Sequence, residues 1–139
     1  MTWIPLRLRR SVAARAKHRC EYCRLAQAGQ EATFHTDHVV PRADAGVTSE
    51  ENLALACVSC SLRKEARQFV FDPETKKLVP LFHPRKDRWA DHFEWQGVHV
   101  VGLTRKGRGT VHALRLNRPR MLAIRREEML LGRHPPGDE

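Results

Sequence analysis

The sequence predicts an α+β fold for a chain of 139 residues. Two observations favour this class: short strand-like segments alternate with helix-like ones, and two C-x2-C pairs bracket the most strand-like part of the chain. The length suits one compact domain. We therefore predict a single domain over residues 1–139, with a basic N-terminal helix in 1–19, a cysteine-bracketed core in 20–67 and a C-terminal α/β extension in 68–139.

The first part of the chain has four predicted elements. Residues 9–19 favour a short basic helix, and residues 34–40 favour a strand that ends at Pro41. A loop follows, and a short helix is expected over residues 52–56. A polar helix over residues 61–67 completes this part.

The C-terminal extension has a strand expected over residues 78–82 and one or two helical turns over residues 87–93. Residues 94–103 favour a hairpin that turns at Gln96 and Gly97. Two helices over residues 104–116 and 120–131 follow, and residues 134–139 are expected to fray. The apolar patterns around Trp89 and Trp95 favour core positions for both rings over a role in stacking on bases.

The charge of the chain is positive and unevenly distributed, with a formal net charge of +9. Residues 1–19 hold six Lys/Arg and residues 104–126 hold eight, and neither stretch contains an acid. Two basic flanks around a near-neutral centre favour a nucleic-acid partner, and the alternative is a pair of solvated helix faces. The candidate nucleic-acid contacts are Arg7, Arg9, Arg10, Lys64, Arg105, Lys106 and Arg108.

Composition argues against several other classes of protein. No apolar run approaches the roughly 18 residues of a membrane helix, and the N-terminus lacks the apolar centre of a secretory signal. At 41% hydrophobic residues, disorder is not expected. We therefore expect an intracellular, cytoplasmic protein without a membrane partner.

The cysteines form two C-x2-C pairs, Cys20 with Cys23 and Cys57 with Cys60, separated by 33 residues. Two such pairs can place four thiolates tetrahedrally around zinc. The alternatives are two disulfides or four free thiols, and a reducing compartment argues against disulfides. We predict a structural Zn²⁺ with four sulfur ligands and no open position for substrate.

Asp37 and His38 form the candidate chemical pair between the cysteine pairs. A carboxylate is a hard ligand for Mg²⁺, and a neutral histidine can take a proton from water near neutral pH. Because adjacent strand residues face opposite sides, the two share a site only near a strand end, which Pro41 predicts. The alternative is an ordinary surface pair.

Five features in this order resemble the HNH endonucleases of the zinc-knuckle subgroup, over roughly residues 18–67. They are Cys20-x2-Cys23, Asp37-His38-Val39-Val40-Pro41, Glu51-Asn52-Leu53, Cys57-x2-Cys60 and Lys64. Downstream runs such as V-P-L-F-H-P-R and D-R-W-A-D-H-F-E-W resemble a bacterial subset of these proteins. The resemblance implies a ββα-metal (His-Me finger) unit tethered by zinc, followed here by a C-terminal β-hairpin and helices.

The resemblance also implies an activity: metal-dependent hydrolysis of phosphodiester bonds in nucleic acid, with DNA favoured over RNA. His38 resembles the general base, and Asp37 resembles the ligand of one catalytic Mg²⁺ or Mn²⁺ ion. Asn52 resembles the residue that fixes the loop bearing His38, and its alternative role is a helix N-cap.

The chain departs from the family pattern at Ser61, where the family has His or Asn as a further metal ligand. A serine hydroxyl is a weaker oxygen ligand, and its alternative role is a helix cap. His35 and His83 are candidates to compensate for the weaker ligand. Two other functions therefore stay open: an inactive zinc-knuckle module that binds nucleic acid, and a protein-interaction module for an acidic partner.

Overall fold

The computed structural model describes residues 3–137. Within these residues the strands form three separate antiparallel pairs, β1–β2, β3–β4 and β5–β6. This mixture of helices and small strand pairs confirms the α+β prediction. The elements are α1 (Leu6–Arg15), β1 (His35–His38), β2 (Leu53–Ala56), α2 (Val58–Lys64), β3 (Phe69–Asp72), β4 (Lys77–Pro80), α3 (Trp89–His92), β5 (Phe93–Gln96), β6 (His99–Gly102), α4 (Arg105–Ala113) and α5 (Pro119–Leu130).

The chain divides into two compact units. The first comprises Met1–Gln68 and His83–Lys86, and the second comprises Phe69–Phe82 and Asp87–Glu139. The first unit therefore contains both cysteine pairs and the order β1, β2, α2. The prediction of one domain over residues 1–139 stays a prediction.

In the first unit β2 is the buried strand of a two-stranded pair. All four of its residues are buried, and it pairs with β1 so that His35 faces Ala56 and His38 faces Leu53. Helix α1 packs on β2 and buries Val12 completely. The helix predicted over residues 52–56 is wrong, because burial on both faces and pairing with β1 override the helix propensity of Leu and Ala.

The helices around β2 are shifted from their predicted bounds. Helix α1 begins before residue 9 and ends at Arg15, since Lys17 and His18 have φ angles of 55° and 57°, outside the helical region. Helix α2 begins at Val58, because the Cys57 side chain accepts a hydrogen bond from the Cys60 backbone N–H and caps the helix. The second cysteine pair therefore lies on the first turn of α2.

The second unit is built on the β3–β4 hairpin and α4. A Cβ atom at Gly109 of α4 would lie 2.9 Å from methyl carbons of both Val70 and Val79, so glycine permits this close packing. Strand β3 was not predicted from the sequence, whereas β4 lies near the expected strand. Aromatic rings pack beside this core, and Trp89 lies 4.9 Å from Phe93 between ring centroids.

The β5–β6 hairpin has the predicted turn, where Gly97 adopts a φ of 62°. The frayed tail predicted over residues 134–139 is wrong at its first residue. His134 is buried, its Nε2 donates to the Gly97 carbonyl over 2.8 Å, and its ring meets Trp95 edge-on at 4.6 Å. The last two residues of that prediction, 138 and 139, lie outside the described part of the chain.

Candidate functional site

The four cysteines meet in the first unit, although the two pairs are far apart in the sequence. All four are buried, and their sulfur atoms lie within 4.8 Å of one another. The Cys23 and Cys57 sulfurs are 3.7 Å apart. Four sulfurs bound to zinc at about 2.3 Å in a tetrahedron are about 3.8 Å apart. The cluster therefore has dimensions that can hold zinc.

Hydrogen bonds within the cluster also favour negatively charged sulfur, which a cation can bind. The backbone N–H of Cys23 donates to the Cys20 sulfur over 3.5 Å, and that of Cys60 donates to the Cys57 sulfur over 3.4 Å. Hydrogen bonding with Cys20 raises the pKa of Cys23 and Cys60, and it lowers the pKa of Cys57. A zinc ion bound there would stabilise all four sulfurs as thiolates, the form of cysteine that binds metal.

Glu21, between the first two cysteines, ties that pair to β2. Its backbone N–H donates to the Leu55 carbonyl over 2.8 Å, and its carboxylate accepts from the Leu55 N–H over 2.8 Å. The carboxylate is buried and forms an ion pair with Arg85. Burial, followed by the charge of Arg15, lowers the pKa of Arg85 to about 10. Sequence reasoning missed this pair, because 64 residues separate the partners.

Asp37 and His38 are the last two residues of β1, as the position of Pro41 predicted. The His38 Nε2 lies 2.8 Å from the Thr48 hydroxyl, and Arg42 donates to the same hydroxyl over 3.3 Å. Burial, followed by the Arg42 charge, lowers the pKa of His38. The neutral imidazole is therefore favoured near neutral pH, and this is the form that accepts a proton. The sequence marked Thr48 only as a loop residue.

Lys64 lies inside the site. Only 2% of the residue is exposed, and its Nζ donates to the His38 carbonyl over 3.2 Å. Burial lowers the pKa of Lys64, and the nearby charge of Asp37 raises it. Lys64 therefore contacts the backbone at His38, and the contact with nucleic acid expected from the sequence stays a prediction.

Asn52 clamps the loop that follows His38. The buried side chain accepts from the Val40 N–H over 2.8 Å and donates to the Val40 carbonyl over 3.0 Å and the Val47 carbonyl over 2.8 Å. Its backbone carbonyl accepts from the Val39 N–H over 2.9 Å. Because β2 follows Asn52, the alternative role as the N-cap of a helix over residues 52–56 is wrong.

His35 and Ser61 are in contact across β1 and α2, with 2.9 Å between the His35 Nδ1 and the Ser61 hydroxyl. His35 and Asp37 are two residues apart on β1 and so point to the same face. This face of β1 is therefore the one that meets α2 at Ser61. His83 makes a local turn contact, accepting from the Arg85 N–H over 3.2 Å.

The residues predicted to contact nucleic acid differ in their exposure and in their ion pairs. Arg7, Arg9 and Arg10 on α1 are exposed, as is Arg105. Lys106 donates to both carboxylate oxygens of Asp87 over 2.9 and 3.0 Å. Arg108 is paired with Asp72 at 3.1 Å and with Glu74 at 3.0 Å. These acids lie outside residues 104–126, so the charge of that run is partly neutralised by distant parts of the sequence.

Comparison with known proteins adds one finding. Residues 20–67 match the family model described as HNH endonuclease. The chain matches no curated protein and no solved structure. Across residues 3–137, no helix combines the length and the apolar character needed to cross a membrane. The matched segment contains both cysteine pairs, β1, β2 and α2. Residues 20–67 are therefore similar to the HNH endonuclease family, and they contain a four-cysteine cluster that can hold zinc.

Proposed function

We propose that the protein is a metal-dependent endonuclease that hydrolyses phosphodiester bonds in nucleic acid, with DNA favoured over RNA. The observation that carries the proposal is the placement of His38. It ends β1 within the HNH segment, and Asn52, Lys64 and Thr48 hold it in place. Each of these contacts uses a side chain to position either the imidazole or the backbone beside it.

We propose that His38 carries its proton on Nε2, with Thr48 as its partner, so that Nδ1 is the base. A guanidinium only donates, so the Thr48 oxygen accepts from Arg42, and its second lone pair can accept from the His38 Nε2–H. In that tautomer Nδ1 carries the lone pair. His38 would then take a proton from the attacking water at Nδ1 while Thr48 fixes the plane of the ring.

Asp37 is the proposed protein ligand of a catalytic Mg²⁺ or Mn²⁺ ion, with Ser61 as a second oxygen ligand. The bound ion supplies Lewis-acid stabilisation of the scissile phosphate. Lys64 holds the His38 backbone beside the Asp37 carboxylate. The zinc proposed for the cysteine cluster has a different role, since four sulfur ligands close its coordination and limit it to stabilising the fold.

The proposal includes an intracellular location. The four cysteines are free and buried. Free thiols beside one another persist in a reducing compartment, where zinc binding is favoured over disulfide formation.

The test is cleavage of plasmid and single-stranded DNA with added Mg²⁺ or Mn²⁺, or with neither. Chelators are avoided, since they would also remove the zinc. His38→Ala is expected to lower turnover by at least roughly a hundredfold, the range for loss of a general base, with unchanged nucleic-acid affinity. His99→Ala, at an exposed position of β6, is the control and should cleave like the wild type. Equal cleavage by His38→Ala and wild type would contradict the proposal.

Ser61 keeps a second function open, an inactive zinc-knuckle module that binds nucleic acid. Its hydroxyl already forms a hydrogen bond with His35, which competes with binding of a metal ion. Salt-sensitive binding of nucleic acid without cleavage under any divalent ion would favour this function. Affinity that hardly changes with salt would instead favour the protein-interaction module.

A further inference from the structure

The β3–β4 hairpin of the second unit has one exposed apolar face. Register places Phe69 opposite Pro80 and Phe71 opposite Leu78, and all four residues are exposed. Exposure is 56% for Phe69, 44% for Phe71 and 70% for Leu78. The other face of the same hairpin packs on α4, so alternation along the strands directs these side chains outward.

These side chains form a continuous patch and are not scattered single residues. Taking roughly 200 Å² for a large side chain, the exposed fractions leave on the order of 300 Å² of apolar surface. Patches of this size on a protein surface are often functional. Two of the five phenylalanines in the chain lie here, exposed, at adjacent outward positions of one strand.

Charge at the end of the hairpin favours an anionic partner. The two acids of the turn, Asp72 and Glu74, are both paired with Arg108. Lys76, two residues after Glu74, is exposed. The patch therefore lies beside a turn that carries a solvent-facing lysine, on a chain whose net charge is +9.

We propose that Phe69 and Phe71 form a stacking platform for unpaired bases of nucleic acid, with Lys76 of the adjoining turn contacting the phosphates. The inference builds on the proposed function, and it specifies single-stranded or locally opened nucleic acid as the substrate form. Every base has a π face, so exposed aromatic rings beside cations bind single strands of any sequence, whereas the bases of an intact duplex are stacked on one another.

Self-association fits this face less well. A stable dimer buries about 800 Å² on each partner, more than twice the area of this patch.

The experiment measures affinity for a labelled oligothymidine and for a duplex of equal length, without added Mg²⁺ or Mn²⁺ so that nothing is cleaved. Phe69→Ala and Phe71→Ala are each expected to weaken single-strand binding roughly 5- to 150-fold, and to change duplex binding little. Phe71→Trp should retain affinity and Phe71→Leu should lose it, because leucine is apolar but has no π face. Leu78→Ala, on the same face, is the matched control and should bind like the wild type.

Wild-type affinity in Phe71→Leu would overturn the platform. A second result would also overturn it: sedimentation that shows a dimer for the wild type and a monomer for the double variant Phe69→Ala, Phe71→Ala. That result would assign the face to self-association. Equal melting temperatures of the variants check that they fold. The nuclease proposal is judged separately by His38→Ala: stacking without cleavage would refute the nuclease alone, and cleavage without stacking would refute the platform alone.

Discussion

Ser61 is the weaker of the two residues that we propose as ligands of a catalytic metal ion. Its hydroxyl contacts His35, whose strand face also carries Asp37. A serine reaches less far from the backbone than asparagine, so an ion held by Asp37 and Ser61 would be held loosely. A displacement of about 1 Å at a reacting centre can cost roughly a hundredfold in rate.

We therefore predict that Ser61→Asn lowers the Mg²⁺ concentration for half-maximal cleavage several-fold, because the amide carbonyl extends further towards Asp37 without adding charge. Titrating Mg²⁺ against the cleavage rate measures this. Ser59→Asn, on the same helix, is the control and should leave the requirement unchanged. If Ser61→Asn needs the same or a higher Mg²⁺ concentration, Ser61 only forms the hydrogen bond with His35. The second metal ligand would then have to be His35 or His83.

The side-chain amide of Asn52 holds the loop between β1 and β2. Asn52→Ala would leave the N–H and carbonyl of Val40 and the carbonyl of Val47 without this partner. We predict a loss of about 1–3 kcal/mol in the free energy of unfolding, the cost of an unsatisfied buried group, together with loss of cleavage.

Asn117 supplies a matched control for this prediction. It makes the same type of clamp in the second unit, accepting from the Val100 N–H over 2.9 Å and donating to the Val100 carbonyl over 2.7 Å. Asn117→Ala should be destabilised similarly in denaturant titrations but keep its cleavage rate per folded molecule. Full cleavage by folded Asn52→Ala would show that the clamp does not position His38.

The β3–β4 turn depends on a buried carboxylate. Asp72 accepts from the Glu74 N–H over 3.1 Å and the Thr75 hydroxyl over 2.7 Å, and it is paired with Arg108. The hydrogen bond from Arg108 holds the pKa of Asp72 well below its usual range. A lowered folded-state pKa contributes stability above the unfolded pKa, and that contribution is lost as pH falls towards the folded value.

Asp72→Asn should therefore be less stable than the wild type at neutral pH. The difference in melting temperature between the two proteins should become smaller as pH falls below about 4. Melting temperatures of both proteins from pH 7 to pH 3 measure this. Glu94→Gln, at an exposed position of β5, is the control and should show no comparable gap. A difference in melting temperature that stays constant from pH 7 to pH 3 would mean that the shape of the Asp72 side chain, and not its charge, stabilises the turn.

For the molecule as a whole, we predict that one zinc ion per chain is bound by the four cysteines and that its removal unfolds the protein. The sulfur cluster is buried in the first unit, and binding of a metal there would contribute directly to the free energy of folding. Metal analysis and circular dichroism before and after chelation test this. A folded, fully reduced sample with almost no zinc would refute it.

The basic flanks are expected to bind the nucleic-acid backbone without reading its sequence. Replacing Arg7, Arg9 and Arg10 with Ala should weaken binding to all sequences alike, and the slope of log affinity against log salt should become shallower by roughly 0.9 for each phosphate that is no longer neutralised. Arg108→Ala is the comparison: because its charge is paired with Asp72 and Glu74, the salt slope should change by less than the average change for each arginine replaced on α1. A weakening confined to one nucleic-acid sequence would contradict the prediction.

Local patterns in the sequence were enough to predict several parts of this protein. The two C-x2-C pairs indicated the sulfur cluster, because each pair sets the geometry of its own sulfurs. The Asp37–His38 pair was expected at a strand end and lies there, and the turn at Gly97 follows from the conformational freedom of glycine. The order of motifs indicated the HNH segment that the family model matches.

Tertiary structure decided the features that depend on distant partners. Leu53–Ala56 is a strand because β1 pairs with it, against the helix propensity of its residues. Lys106 and Arg108, which lie in an acid-free run of sequence, are paired with acids from other segments. Lys64 is turned inward to the His38 carbonyl. Composition and spacing report on neighbours along the chain, whereas burial and charge pairing depend on neighbours in space that only the folded chain brings together.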